Sequence, residues 1–177
     1  KHIQKNFLLI LIDVKRKQCG FFKTSFLSDV AVGINAAYIN SKVKISDNGN
    51  GGASNIQTNM ERPLQGASPY LVNATLSYNN DVLDKMKTSI TLSYNIYGKR
   101  LSSVGIQGIG DVYEMPVNTL NLVAKINPTD KISVQLSAMN LLNPDIKYVQ
   151  NTNDNPIEVN SVKSGIAFGL RIGYNVF

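Results

Sequence analysis

The sequence reads as an all-β chain, an antiparallel up-and-down meander of about six amphipathic strands. Three observations lead there. Apolar and polar residues alternate with a period of two from about Val30 onward, the mark of a strand with unlike faces. Asparagine is unusually frequent, at 21 residues, and Ser, Thr and Gly are common, which suits polar strand faces and turns better than helices. Short and long connections alternate strictly along the chain, so in a meander all short turns lie at one end and all long loops at the other.

The first strand sets Val30, Val32, Ile34, Ala36 and Tyr38 against Ala31, Gly33, Asn35 and Ala37. The second sets Val72, Ala74, Leu76 and Tyr78 against Asn73, Thr75, Ser77 and Asn79. Ile90, Leu92, Tyr94 and Ile96 mark the third, and the stretch from Met86 to about Ser103 could hold one strand far longer than the usual five or six residues. Leu120, Leu122, Ala124 and Ile126 mark the fourth; Ile132, Val134, Leu136 and Ala138 the fifth. The sixth runs through Ile166, Phe168, Leu170, Ile172, Tyr174 and Val176. The short turns are Asn80 to Lys85 and Asn127-Pro128-Thr129-Asp130, the latter with proline placed to initiate it. The long connections, about Asp47–Pro69, Gly105–Asn118 and Asn143–Lys163, are rich in Asn, Gly, Ser and Pro.

Composition removes several function classes. The 177 residues are 43% apolar and 17% charged, enough for a folded core, and the longest apolar run, Phe7 to Ile12, falls far short of the roughly 20 residues a spanning helix needs. A single cysteine, Cys19, makes no internal disulfide or thiolate cluster, and the single histidine, His2, is terminal. Histidine-based triads and zinc sites are thereby excluded, and neither a metal nor a cofactor is expected. The net charge of +6 sits largely in Lys1, Lys5, Lys15, Arg16, Lys17 and Lys23, with the rest scattered singly. No aromatic RNA-binding signature or basic helix accompanies it, so no nucleic-acid partner is expected.

Short turns at one end and long loops at the other is the asymmetry of outer-membrane barrels. Strands of about 9–11 residues span a bilayer when tilted. Tyr38, Tyr70, Tyr78, Tyr94, Tyr97, Tyr113 and Tyr174 fall toward the ends of segments, where interfacial girdles would sit. A soluble β-sandwich also alternates, with its apolar face in the core, so periodicity alone leaves both open.

The run Glu61-Arg62-Pro63-Leu64-Gln65-Gly66-Ala67-Ser68-Pro69-Tyr70-Leu71-Val72-Asn73, with the strand that follows, resembles the C-terminal barrel region of TonB-dependent outer-membrane receptors, most closely those of Bacteroidetes-type bacteria. Tyr94-Asn95 with Gly98-Lys99-Arg100, then Asp111-Val112-Tyr113-Glu114-Met115-Pro116, then Met139-Asn140-Leu141-Leu142-Asn143-Pro144 follow in the family's order. The terminal Phe177 is similar to the signal read by barrel-assembly machinery, although the third residue from the end, usually aromatic in the family, is Asn175. The resemblance covers about residues 26–177; residues 1–20 match nothing in the family, and residues 1–25 stand as an unassigned N-terminal segment in which no leader is expected.

The resemblance implies part of a transmembrane β-barrel in the outer membrane of a Gram-negative cell. Barrels of this family have roughly 22 strands and a plugged lumen, so the chain is expected to be a fragment lacking the plug and the TonB-contacting segment. The parent would be a receptor for a scarce nutrient, a siderophore-iron chelate, a cobalamin or a glycan, with uptake energised through TonB. Its partners would be outer-membrane lipid, the plug, TonB, the assembly machinery and the small-molecule or glycan ligand. No bond chemistry belongs to that scheme, and no catalytic residue is expected.

Ligand contact is expected in the long loops, at Arg62 and Gln65, Tyr113 and Glu114, and Tyr148 and Gln150. Ser46 to Gly52 has oxygen donors and glycines in the manner of a calcium loop but lacks the spacing and closing Glu, so it reads as a plain loop. The carboxylate pairs Asp81 with Asp84 and Asp154 with Glu158 carry no acid–base assignment, and Arg171 is expected to face the lumen or plug. The alternatives are a complete small outer-membrane barrel, of eight strands if residues 1–26 supply two, and a soluble sandwich that binds carbohydrate or protein.

Overall fold

A computed structural model describes residues 2–15, 29–44, 58–83, 86–152 and 155–175. Twelve strands occur among them: β1 (His2–Lys15), β2 (Val30–Lys44), β3 (Glu61–Arg62), β4 (Tyr70–Leu83), β5 (Met86–Tyr97), β6 (Arg100–Ser103), β7 (Val112–Glu114), β8 (Val117–Asn127), β9 (Ile132–Met139), β10 (Asp145–Thr152), β11 (Asn155–Lys163) and β12 (Ala167–Tyr174). The main sheet is an antiparallel meander in the order β1-β2-β4-β5-β8-β9-β12, curled into a half-barrel, with β3 attached to β2. A second sheet, in the order β11-β10-β7-β6, is made from segments that lie between the long strands of the first. The four-residue link 128–131 joins β8 to β9 at one end, at which β4 also turns into β5; the segments holding β6, β7, β10 and β11 lie at the other.

Register keeps one face apolar throughout. Val32, Leu76, Leu92, Leu122, Ala138 and Phe168 form one row across six strands, and Val30, Tyr78, Ile90, Ala124, Leu136 and Leu170 form the next. The opposite face is polar and cross-linked: Asn73 donates to Asn35 Oδ1 at 2.6 Å, Ser77 and Thr91 hydroxyls lie 3.3 Å apart, and Asn95 donates to Thr119 at 3.4 Å. Gly33, Gly169 and Gly173 sit against Thr75, Ser137 and Ser133 on that same face.

The apolar rows are not the core. Among the described residues only Val43, Leu101 and Val117 are buried hydrophobics, all at the loop end. Phe168 is 81% exposed, Leu170 63% and Leu136 55%. No second layer covers this face among the described residues.

Three features differ from the sequence reading. Residues 2–15 form a full strand, paired with β2 from His2↔Lys44 to Lys15↔Ala31, so the main sheet has seven long strands and the N-terminal segment supplies one of them. The continuous apolar run Phe7–Ile12 has no period of two, which is why pattern alone misses it. The long strand expected over 86–103 is two strands broken at Gly98-Lys99, with β5 in the main sheet and β6 in the second. A Cβ at Gly98 would lie 2.6 Å from the Tyr70 ring, and only glycine allows that approach. The long connections, read as loops, hold β7, β10 and β11.

The exit from β9 shows why Asn140 and Asn143 stand where they do. Both have positive φ, 57° and 45°, a region where Asn is favoured over most side chains. Asn143 N donates to Asn140 O at 2.7 Å, Asn140 N donates to Asn121 Oδ1 at 2.9 Å, and Gly165 N donates to Asn143 Oδ1 at 3.2 Å. Two asparagines thus terminate β9 and fix the path of the chain into β12.

Candidate functional site at the loop end

The segment 61–69 laces the loop end together. Glu61 and Arg62 pair with Lys44 and Val43, and the Glu61 carboxylate takes both Lys42 and Lys44 at 3.2 Å. Hydrogen bonds from Lys42, then Lys44, hold its carboxyl below the ordinary value. Leu64 N donates to Ser41 Oγ, Gly66 N to Leu101 O at 2.9 Å, and Gln65 Nε2 to Ser102 O at 2.7 Å. Ser68 Oγ lies 2.7 Å from Tyr70 O and 3.0 Å from Gly98 O, while Ile39 N donates to Pro69 O. Gly66, at φ +76°, allows the turn.

Two buried carboxylates organise the second sheet. Asp111 is 1% exposed; its carboxylate accepts Asn59 Nδ2 and Gly105 N, each at 2.7 Å, and its carbonyl accepts Asn151 N at 3.1 Å. Glu114 is 5% exposed and accepts Arg100 Nε at 3.0 Å, Arg100 Nη2 at 2.8 Å and Tyr97 Oη at 2.7 Å. Burial pushes the Glu114 carboxyl up, but hydrogen bonds from Arg100, Tyr97 and Tyr148 outweigh it, and the group titrates below its ordinary value. Hydrogen bonding to Glu114 correspondingly raises Arg100.

The six expected ligand residues all lie at this end, in different roles. Glu114 is inward and bonded, with Tyr148 opposite it in the β7–β10 register. Gln65 and Gln150 bond backbone carbonyls, the latter Gly110 O at 3.1 Å. Tyr113 and Arg62 are brought near one another: burial first, then the Asp111 charge, raise the Tyr113 phenol, and Arg62 opposes that rise. Phe177, Asp84, Asp154 and the segment Ser46–Gly52 lie outside the described residues.

A groove of about 350 Å³ opens beside Tyr113. Asn40 and Ser41 at the end of β2, Pro63, Pro69, Lys99, Tyr113 and Asn151 are among the residues that line it. Lys99 Nζ sits 4.3 Å from the centre of the Tyr113 ring, a cation–π contact. Lys99 and Asn151 are the residues that sequence reasoning passed over, since nothing in their local pattern separates them from other loop residues. No cluster of three or more His, Cys, Asp or Glu that could hold a metal occurs among the described residues. A smaller recess of about 220 Å³ lies at the opposite end, between Lys87, Lys125, Asn127 and Asn175. Comparison with known proteins finds no family, no curated protein and no solved structure that matches this chain.

Proposed function

We propose that the chain is part of the wall of a TonB-dependent outer-membrane receptor, which binds a scarce nutrient at its outer loops and takes it up with energy delivered through TonB. One observation carries the reading: apolar side chains form continuous rows across six strands with no protein layer over them. In water such a face is an aggregation hazard; against lipid it is what a spanning sheet requires. Tyr38 and Tyr70 are register partners near the loop end, and Tyr78 and Tyr174 stand near the turn end. Tyr70 to Tyr78 is nine residues inclusive, within the span of a tilted membrane strand of about 9–11. Tyr97 and Tyr113 belong instead to the polar interior of the loop end.

Among the described residues β1 pairs only with β2, and β12 only with β9, so both edges of the main sheet carry unpaired backbone groups. Lipid does not tolerate that, and the remaining strands and plug of a longer receptor would supply the closure. The long connections face outward in this reading, where the ligand would arrive.

Single cysteines in a C19S background test it in phospholipid vesicles. L76C, L136C and L170C should react with a lipid-soluble thiol reagent and resist a charged aqueous one. S77C and S137C, on the polar face, should do the reverse. Apolar-face cysteines open to the aqueous reagent, or a chain monodisperse in plain buffer, would sink the proposal.

A further inference from the structure

The outward side of β2 changes character along its length. Every second residue lies on the face that carries the apolar rows: Val32, Ile34 and Tyr38, then Asn40, Lys42 and Lys44, all exposed. The intervening Ser41 and Val43 are buried, so the alternation holds to the end of the strand. Tyr38, paired with Tyr70, is the last ring on this side of β2, and beyond it the same side is polar and then cationic.

The two lysines converge. Lys42 Nζ lies 3.2 Å from Glu61 Oε1 and Lys44 Nζ 3.2 Å from Oε2, with the lysine side chains 58% and 66% exposed. Glu61 is the one carboxylate that either lysine meets among the described residues, so two ammonium groups share one negative charge. A unit of positive charge is left over, and each ammonium, with three donors, keeps some free. The Lys44↔Glu61 pairing of β2 with β3 holds the carboxylate in place through the backbone.

Depth decides what meets this charge. With the apolar face against lipid, Tyr38 and Tyr70 stand at the edge of the hydrocarbon. Lys42 follows Tyr38 by four residues, about 13 Å along the strand and less along the bilayer normal once the strand tilts. A lysine stem can also lie back along the surface, which brings the ammonium to the headgroups. The charged acceptor at that level is phosphate, and surplus positive charge there favours lipids with a net negative headgroup.

We infer that Asn40, Lys42 and Lys44 form a docking site for the phosphate headgroup of an anionic lipid, on the membrane-facing side of β2 at its loop end. The inference rests on the receptor reading and adds a lipid preference to it. Glu61 tempers the site, because its carboxylate competes with the phosphate for the same donors.

Spin-labelled lipids test it with the native chain in phosphatidylcholine vesicles, where electron paramagnetic resonance separates lipid held at the protein from free lipid. Labelled phosphatidic acid should associate about three- to fivefold more strongly than labelled phosphatidylcholine, as one net basic charge near the surface requires. K42Q/K44Q should make the two nearly equal, K42R/K44R should keep the preference, and E61Q should increase it. K87Q/K125Q, which removes the same charge from the polar face, should leave it unchanged. Equal association of both lipids with the native chain, a preference that survives K42Q/K44Q, or one that K87Q/K125Q also removes would overturn the site. Loss of the preference when glycerol phosphate is added to the aqueous phase at millimolar concentration would overturn it too, since a free phosphate would then be the ligand. The native chain and the charge-retaining K42R/K44R decide the matter even if K42Q/K44Q does not fold. Held lipid without a preference sinks the site alone; no held lipid of either kind sinks the receptor reading with it.

Discussion

Arg100 and Glu114, register partners where β6 meets β7, form a two-point ion pair, Nε to Oε2 at 3.0 Å and Nη2 to Oε1 at 2.8 Å. The Glu114 side chain is 7% exposed and the Arg100 side chain 37%. The carboxylate is therefore the member that depends on its partner. R100M should cost about 3 kcal/mol, because a buried charge is left behind with only hydroxyl donors. The double variant R100M/E114Q should be less damaged than R100M alone. Denaturant unfolding of the native chain and the two variants gives the comparison.

Acid should loosen the second sheet before the main one. The Glu114 carboxyl titrates below its ordinary value of 4.5, so its bonds contribute fully above that pH and are lost as pH falls through the lower folded value. Hydrogen exchange at β6 and β7 should rise on acidification below about pH 4.5, and E114Q should remove that dependence.

Two glycines should differ in whether a neighbour can compensate. G98A places a methyl 2.6 Å from the Tyr70 ring and should cost about 1–3 kcal/mol, with Y70L restoring most of it. At Gly110 the added carbon would lie 1.5 Å from the Asn151 carbonyl oxygen, which is backbone. No side-chain change relieves that contact, so G110A should detach β7 from β10, read as lost protection of the β10 amides.

The two faces of the main sheet should respond oppositely to charge. In lipid, L170R should cost about 2–4 kcal/mol, while S137K, across the β9–β12 pair on the polar face, should cost much less. Unfolding from vesicles measures both. Equal small effects would mean that the apolar rows meet water.

The meander and its two faces were legible because Val30–Tyr38, Val72–Tyr78 and their successors alternate cleanly, and a period of two is a local property. What stayed hidden depends on distant pairing. β7 has three residues and exists because β10, more than 30 positions later, pairs with it. Asn59 and Asp111 meet across 52 positions, and Arg100 gives no local sign that it neutralises Glu114. Sequence placed the candidate residues together at the loop end of the sheet, since polar long connections gather there. It could not separate Gln65 and Gln150, which tie down backbone, from Tyr113 at the groove.

The order β1-β2-β4-β5-β8-β9-β12 has a consequence for how such a sheet can change size. Each long strand neighbours the long strand before it, so the chain reverses direction once per strand and no segment passes over another. Excising or duplicating two adjacent strands leaves every remaining connection at its original end and every remaining side chain on its original face. Excising one exchanges the ends for everything downstream and would send a loop-end segment such as 98–116 to the opposite side. A wall of this kind can therefore grow or shrink only by even steps, and the hairpin rather than the strand is its heritable unit.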